Sequence, residues 1–216
     1  MHGFDTLISR LLDRSRRQGR TILAVAGPPG AGKSTAASAI CSALNLKGAR
    51  SRVVPMDGFH FDNRILEPAG LLARKGAPET FDAAGFVAQI KRLSERAEDV
   101  AIPVFDRQRD IAIAGAEQVP VKDDILIVEG NYLLLKEAPW SRLRAFWSES
   151  IFINPGMHVL EARLVQRWLN HGLSEAEART RATENDIPNA RIVVLQSTEP
   201  TLQMTPDAFD QIHSCR

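Results

Sequence analysis

The nine residues "GPPGAGKST", 27–35, restrict the fold of this chain more than any other stretch. They match the pattern GxxxxGK[ST] through Gly27, Gly32, Lys33 and Ser34, directly after the apolar run "TILAVA" and directly before a helical pattern. Glycines let a backbone wrap closely around phosphate oxygens, and the N–H groups of such a loop point inward as an anion cradle. The N-terminus of the following helix adds partial positive charge. Gly27, Pro28, Pro29, Gly30, Ala31, Gly32, Lys33, Ser34 and Thr35 are therefore read as a nucleoside-triphosphate site, with Lys33 at the β- and γ-phosphates and the Ser34 hydroxyl on Mg²⁺. A plain tight turn between strand and helix is the competing reading. The full pattern in its strand–loop–helix context argues against it.

Such a loop belongs at the end of a buried strand, and five segments have the short apolar character of parallel strands. They are "TILAVAG" at 21, "SRVVPMD" at 51, "DILIVEG" at 124, "SIFINP" at 150 and "ARIVVLQS" at 190. Helical patterns lie between them: 34–47 closed by Gly48, 83–97, and 157–171 stopped by Gly172. Ser174 and Glu177 form a capping box that opens a further helix. Alternation of strand and helix predicts an α/β fold, a three-layer α/β/α sandwich around a five-stranded, mainly parallel sheet. At 216 residues it is expected to be a single domain, 1–216. The stretch 59–119 has weak strand signals and is the expected acceptor-binding elaboration, while the tail from Ser197 is polar and punctuated by proline.

Phe4, Leu7, Ile8, Leu11 and Leu12 fall at helical spacing opposite Arg14, Arg16 and Arg17, which predicts a surface helix over 1–19 docked on the domain rather than on a membrane. A net charge of +1 argues against a global electrostatic footprint for nucleic acid or anionic lipid. No apolar run approaches the roughly 18–20 residues of a membrane helix. Cys41 and Cys215 are far apart and form no ligand-spaced pair, which points to a reducing cytoplasm.

Two carboxylates stand at strand ends. Glu129 follows "ILIV" and could hold Mg²⁺ beside the phosphate loop or point to solvent, and beyond it Asn131 and Tyr132 could line the pocket. Asp57 follows "VVPM". It could take a proton from a substrate hydroxyl, bind Mg²⁺ through water, or cap a turn using Gly58. Phe59 and Phe61 could be core or pocket wall, with His60 between them. Arg163 and Arg167 share one helical face at i, i+4, as a solvated face or as a clamp on transferring phosphate.

These passages together resemble the phosphoribulokinase, uridine kinase and pantothenate kinase superfamily of P-loop kinases. The nearest group is the bacterial fructose-transport-system kinases, or fructokinases. "MDGFHFDN" is similar to the pantothenate-kinase passage whose aspartate is the catalytic base, a role the resemblance implies for Asp57. "RKGAPETFDAAGF" matches through Lys75, Pro78, Glu79 and Asp82. "IPVFDRQRD" resembles the strand and turn in which uridine kinases hold substrate, with Asp106, Arg107 and Arg109 as polar candidates. The resemblance further implies a lid at about 157–187 with Arg163 and Arg167 over the phosphates. It also implies an adenine-flanking loop in which Asn185 and Asn189 read the base. The implied activity is ATP·Mg²⁺-dependent phosphorylation of a hydroxyl on a small metabolite, a fructose-like sugar favoured, with a homodimer open. A pantothenate, nucleoside or nicotinamide-riboside kinase is the nearest alternative. A nucleotide-dependent switch with slow hydrolysis is the alternative from another class.

Overall fold

The computed structural model describes residues 2–210. Its first half comprises α1 (His2–Gln18), β1 (Thr21–Ala26), α2 (Lys33–Leu46), β2 (Ser51–Pro55), α3 (Asn63–Leu66), α4 (Ala83–Glu95), β3 (Val100–Asp106) and β4 (Ile111–Val119). The second half adds β5 (Ile125–Gly130), β6 (Glu149–Ile153), α5 (Met157–Asn170), α6 (Glu175–Arg181), α7 (Ile187–Gln196), β7 (Leu202–Met204) and α8 (Asp207–Asp210). The main sheet has five strands in the order β2–β5–β1–β6–β7, every pair parallel.

Strands β1 and β5 are buried along their whole length, as a sheet covered on both faces requires. On one face Leu23, Val25, Ile125, Ile127, Ile151 and Ile153 pack under α1, α2 and α5 through Leu7, Leu11, Ile40, Leu44, Leu160 and Leu164. On the other, Ile22, Ala24, Leu126 and Val128 pack under α4 and an aromatic group of Phe81, Phe86, Tyr132 and Trp140. Truncating one of these central leucines or isoleucines to Ala is worth about 2–5 kcal/mol by the usual transfer-plus-cavity cost. The register brings the strand ends level: Ala26 pairs with Gly130, and both Val25 and Pro55 pair with Glu129. Gly27, Asp57 and Glu129 therefore leave the sheet at one edge, where open α/β sheets bind ligands.

Two expectations change. "ARIVVLQS" is not a strand: it lies in α7, which Pro188 opens at its first turn, and the fifth strand is β7 within the proline-punctuated tail. The stretch 59–119 contains an antiparallel hairpin, β3–β4, separate from the main sheet. The Ser174–Glu177 capping box is present. α1 docks by its apolar face, and Arg10 and Arg14 both reach the buried Glu149 carboxylate. Cys41 is half-buried as a free thiol, and Cys215 lies outside the described residues. Among the described residues no helix is long and apolar enough to cross a membrane.

Candidate active site

The phosphate loop is shaped by a close approach: a Cβ on Gly27, where φ is +154°, would run into the Ile153 carbonyl. Pro28 and Pro29 carry no N–H, so the cradle donors come from residues 30–34 rather than from the whole loop. Lys33 is buried, and its Nζ donates to the Pro28 carbonyl at 3.0 Å. Ser34 Oγ donates to Glu129 Oε1 at 3.3 Å, placing a hydroxyl against a buried carboxylate. Burial pushes the Lys33 ammonium below the usual lysine range, against the pull of Glu129 and Asp57. Burial, then repulsion from Asp57, pushes the Glu129 carboxyl above the usual range, against Lys33. Each is an ionisable group held out of bulk water. A polyphosphate beside Lys33 and a hard divalent cation beside Ser34 and Glu129 suit these donors.

Asp57 sits in a 3₁₀ turn, Met56–Phe59, that continues from β2. A Cβ on Gly58 would meet the Pro103 carbonyl, so glycine is what lets the β3–β4 hairpin close over this turn. The hairpin returns a charge. Arg107 Nη2 donates to Asp57 Oδ2 at 2.6 Å. His60 Nδ1 lies 2.8 Å from the Asp57 carbonyl, with its ring between Phe81 and Phe105 at centroid distances of 4.0 and 4.6 Å. Burial holds the His60 imidazole below the usual histidine range, against the pull of Asp57.

Asp57, His60, Asn131 and Pro29 open onto a cleft of about 560 Å³. Phe105, Lys75 and Asp110 form one wall, and Arg167, Trp168, His171, Arg181 and Asp186 the other. Lys75 Nζ donates to Asn63 Oδ1 at 2.7 Å and to the Asp110 carbonyl and Oδ2 at 2.8 Å, tying the hairpin turn to the 63–75 segment. The opposite wall is built on Trp168, which lies under the guanidiniums of Arg167 and Arg181 at 5.1 and 5.3 Å. Its Nε1 donates to Asp186 Oδ2 at 2.5 Å, while Arg167 Nη2 donates to Asp186 Oδ1 at 2.9 Å. Asp186 ends a π-turn, Ala182–Asp186, that joins α6 to α7; such turns often occur at functional sites.

The residues singled out from the sequence divide. Arg163 and Arg167 share a helix face but reach different places. Arg163 Nη1 donates to the Gly30 carbonyl at 3.2 Å over the phosphate loop, whereas Arg167 lines the cleft. Phe59 packs on Phe86 and Phe61 lines a separate groove beside Pro78 and Glu79, so neither is a cleft wall. Tyr132 is fully buried, its hydroxyl on the Gly76 carbonyl. Asp106 caps the hairpin turn through the Gln108 and Arg109 amides and pairs with the exposed Arg109; neither lines the cleft. Asn185 and Asn189 are not in a loop before a strand. They are buried in the π-turn and α7. Asn185 Nδ2 donates to the Lys75 carbonyl at 3.0 Å, and Asn189 Nδ2 to Asn185 Oδ1 at 3.2 Å. Asn189 lines the same cleft as Asp57.

Asn63, Phe105, Asp110, Trp168, Arg181 and Asp186 escaped the sequence reading as cleft residues. Phe105, Asp110, Trp168 and Asp186 were the most accessible of these, since each adjoins a polar residue already singled out, Asp106, Arg109, Arg167 and Asn185.

The model of the phosphoribulokinase/uridine kinase family matches residues 22–180. A crystal structure from Silicibacter sp. TM1040, described as a "putative fructose transport system kinase", is 48% identical. It superposes with a TM-score of 0.86 over 93% of this chain and 98% of that one. The Schizosaccharomyces pombe protein "Putative uridine kinase C227.14" is 32% identical over 210 residues, 92% of this chain and 88% of its own. The pantothenate kinase of Myxococcus xanthus is 33% identical over 156 residues, 68% of this chain and 49% of its own.

Proposed function

The chain belongs to the phosphoribulokinase/uridine kinase family of kinases, and from that premise we propose that it phosphorylates a neutral, hydroxyl-rich metabolite, a fructose-like sugar. The observation that carries the reading is the position of Asp57. It lines the cleft, yet its charge reaches both Lys33 and Glu129 beneath the phosphate loop. A carboxylate so placed accepts the proton of an acceptor hydroxyl while that oxygen attacks the γ-phosphorus of ATP. Arg107 orients it from the exposed side. Amides of residues 30–34 hold the phosphates, with Lys33 and Arg163 against the charge that spreads over the transferring group. Ser34 and Glu129 would hold magnesium, which would neutralise part of the phosphate charge. Little covalent chemistry is left for protein groups, so positioning supplies most of the rate.

The sugar preference follows from the walls. Phe105 and Trp168 put aromatic rings in the walls, and Asn63, Asn131 and His60 offer polar groups. One feature favours a second reading, an acidic acceptor such as pantothenate: Arg181 lines the cleft, is engaged by the Ala73 carbonyl, and could also bind a carboxylate. Coupled ADP release across sugars, nucleosides and pantothenate separates the two. A response confined to sugars is expected, and a response confined to pantothenate selects the second.

A further inference from the structure

Lys75 and Arg107 both line the cleft, and their N–H groups are spent differently. An ammonium has three N–H groups. Lys75 Nζ gives all three to the protein: to Asn63 Oδ1 at 2.7 Å, and to the Asp110 carbonyl and Oδ2 at 2.8 Å each. Its side chain is only 9% exposed. A guanidinium has five N–H groups, and Arg107, which is 69% exposed, gives one of them to Asp57. Lys75 thus borders the cleft with no donor left to offer a ligand.

What its three bonds hold is the turn of the β3–β4 hairpin. Asp106 and Ile111 are the last pair of the ladder, so residues 107–110 make the turn. Asp106 Oδ1 accepts from the amides of Gln108 and Arg109 and fixes the first half. Asp110 closes the turn at φ +55°, a left-handed conformation that residues other than glycine seldom adopt. Lys75 grips that residue by main chain and side chain at once, and Asn63 Nδ2 adds a bond to its Oδ2 at 3.2 Å. Lys75 is itself held. Its carbonyl accepts from Asn185 Nδ2 at 3.0 Å, and the Gly76 carbonyl accepts from the buried Tyr132 hydroxyl.

We infer that Lys75 is a positioning residue: it fixes the hairpin turn so that Arg107 Nη2 meets Asp57 Oδ2, and it takes no part in holding the acceptor. The role rests on the reading of Asp57 as the base. Without the brace, the exposed Arg107 is free to leave Asp57, and the carboxylate loses the partner that orients it. Small displacements at a reacting centre are costly in rate. Phe105 belongs to the ladder, paired with Ala112, so this cleft wall does not depend on the brace.

Lys75→Met keeps the length of the side chain and removes every N–H. With the best acceptor from the turnover panel, kcat is expected to fall roughly 10-fold, with the KM for acceptor and for ATP each within about 2-fold. In an Arg107→Ala background the same substitution should cost less than about 2-fold, since no guanidinium is left to position. Asp110→Ala, at a carboxylate 54% exposed, should lower kcat roughly 3-fold and serves where Lys75→Met fails to fold. A full 10-fold loss in the Arg107→Ala background, or a loss carried by the acceptor KM, overturns the inference and makes Lys75 a direct contact. Hydrogen exchange separates this inference from the kinase reading, because it needs no acceptor. Each single variant should speed exchange at the Gln108 and Arg109 amides by roughly 5-fold and leave residues 27–35 unchanged. Unchanged exchange overturns the inference even where a sugar is phosphorylated. Faster exchange with no compound in the panel turned over upholds the brace and overturns the kinase reading.

Discussion

The two sides of the active cleft are made of different materials. The phosphate side is contiguous chain: residues 27–35, a buried lysine, and one carboxylate delivered by the neighbouring strand. The cleft proposed for the acceptor is assembled from the Asp57 turn, the 63–76 segment, the tip of the β3–β4 hairpin, Asn131, α5 and the π-turn into α7. On the kinase reading, the first takes a group that every nucleoside triphosphate shares, which one loop and a few fixed charges can hold. The second must distinguish one metabolite from others, which takes side chains whose relative positions depend on the whole fold. Substrate range in such a molecule can change without disturbing the nucleotide site.

Substitutions can break or sharpen that division. The largest effect is expected at the boundary: Asp57→Asn should lower turnover by about 10²–10⁴ while the ATP dissociation constant moves less than about 2-fold. A collapse of ATP affinity, read by calorimetric titration, would mean that the two sides are one unit. A smaller effect belongs to the acceptor wall alone. Trp168→Ala removes the ring that Arg167 and Arg181 cover, and steady-state kinetics should show roughly a 10-fold rise in acceptor KM with the ATP KM unchanged.

The smallest effect separates the sides by pH. Burial depresses the His60 pKa, so near pH 6.5 the unfolded chain takes up a proton that the folded chain does not. Stability from this group is therefore lost as pH falls below about 6.5. Glu129, raised by burial, has the opposite sign: the folded chain holds a proton that the unfolded chain has released, so stability is gained as pH falls through its folded pKa. Denaturant unfolding at pH 7 and pH 5.5 should show His60→Gln losing less stability on the acid side than the wild type. An identical pH slope for wild type and variant would remove His60 from this account.

The same division explains what could be read from the residues in order. β1, β2, β5 and β6 were legible because each is a short apolar run, and three of them end on a glycine or an acid that the chemistry needs, Gly27, Asp57 and Glu129. "ARIVVLQS" misled because its β-branched residues mimic a strand. Ile192 and Val193 instead pack on one core layer, and Ala190 on the other, from a helix that follows directly on the π-turn. β7 was missed for its length, three residues, too few to show a period. The hairpin was faint because β4 is half-exposed and carries Gly115 and Glu117 in its interior. Phe59, Phe61 and Tyr132 sit beside candidate site residues in sequence, which left core and pocket wall both open for the two phenylalanines. In the 3₁₀ turn and the segment after β5, neighbours point in different directions, and only long-range packing decides which one faces the cleft.

α7 contributes Val193 to the core on one side of the sheet and Ile187 and Ala190 to the core on the other. The helix that bears Asn189 is thus gripped by both layers, whereas Arg167 and Arg181 project from helices that cover one side of the cleft. A floor held in this way has little torsional freedom left to surrender when a substrate arrives. The ordering entropy of any ligand that enters the cleft would then fall on the ligand and on the covering helices rather than on α7.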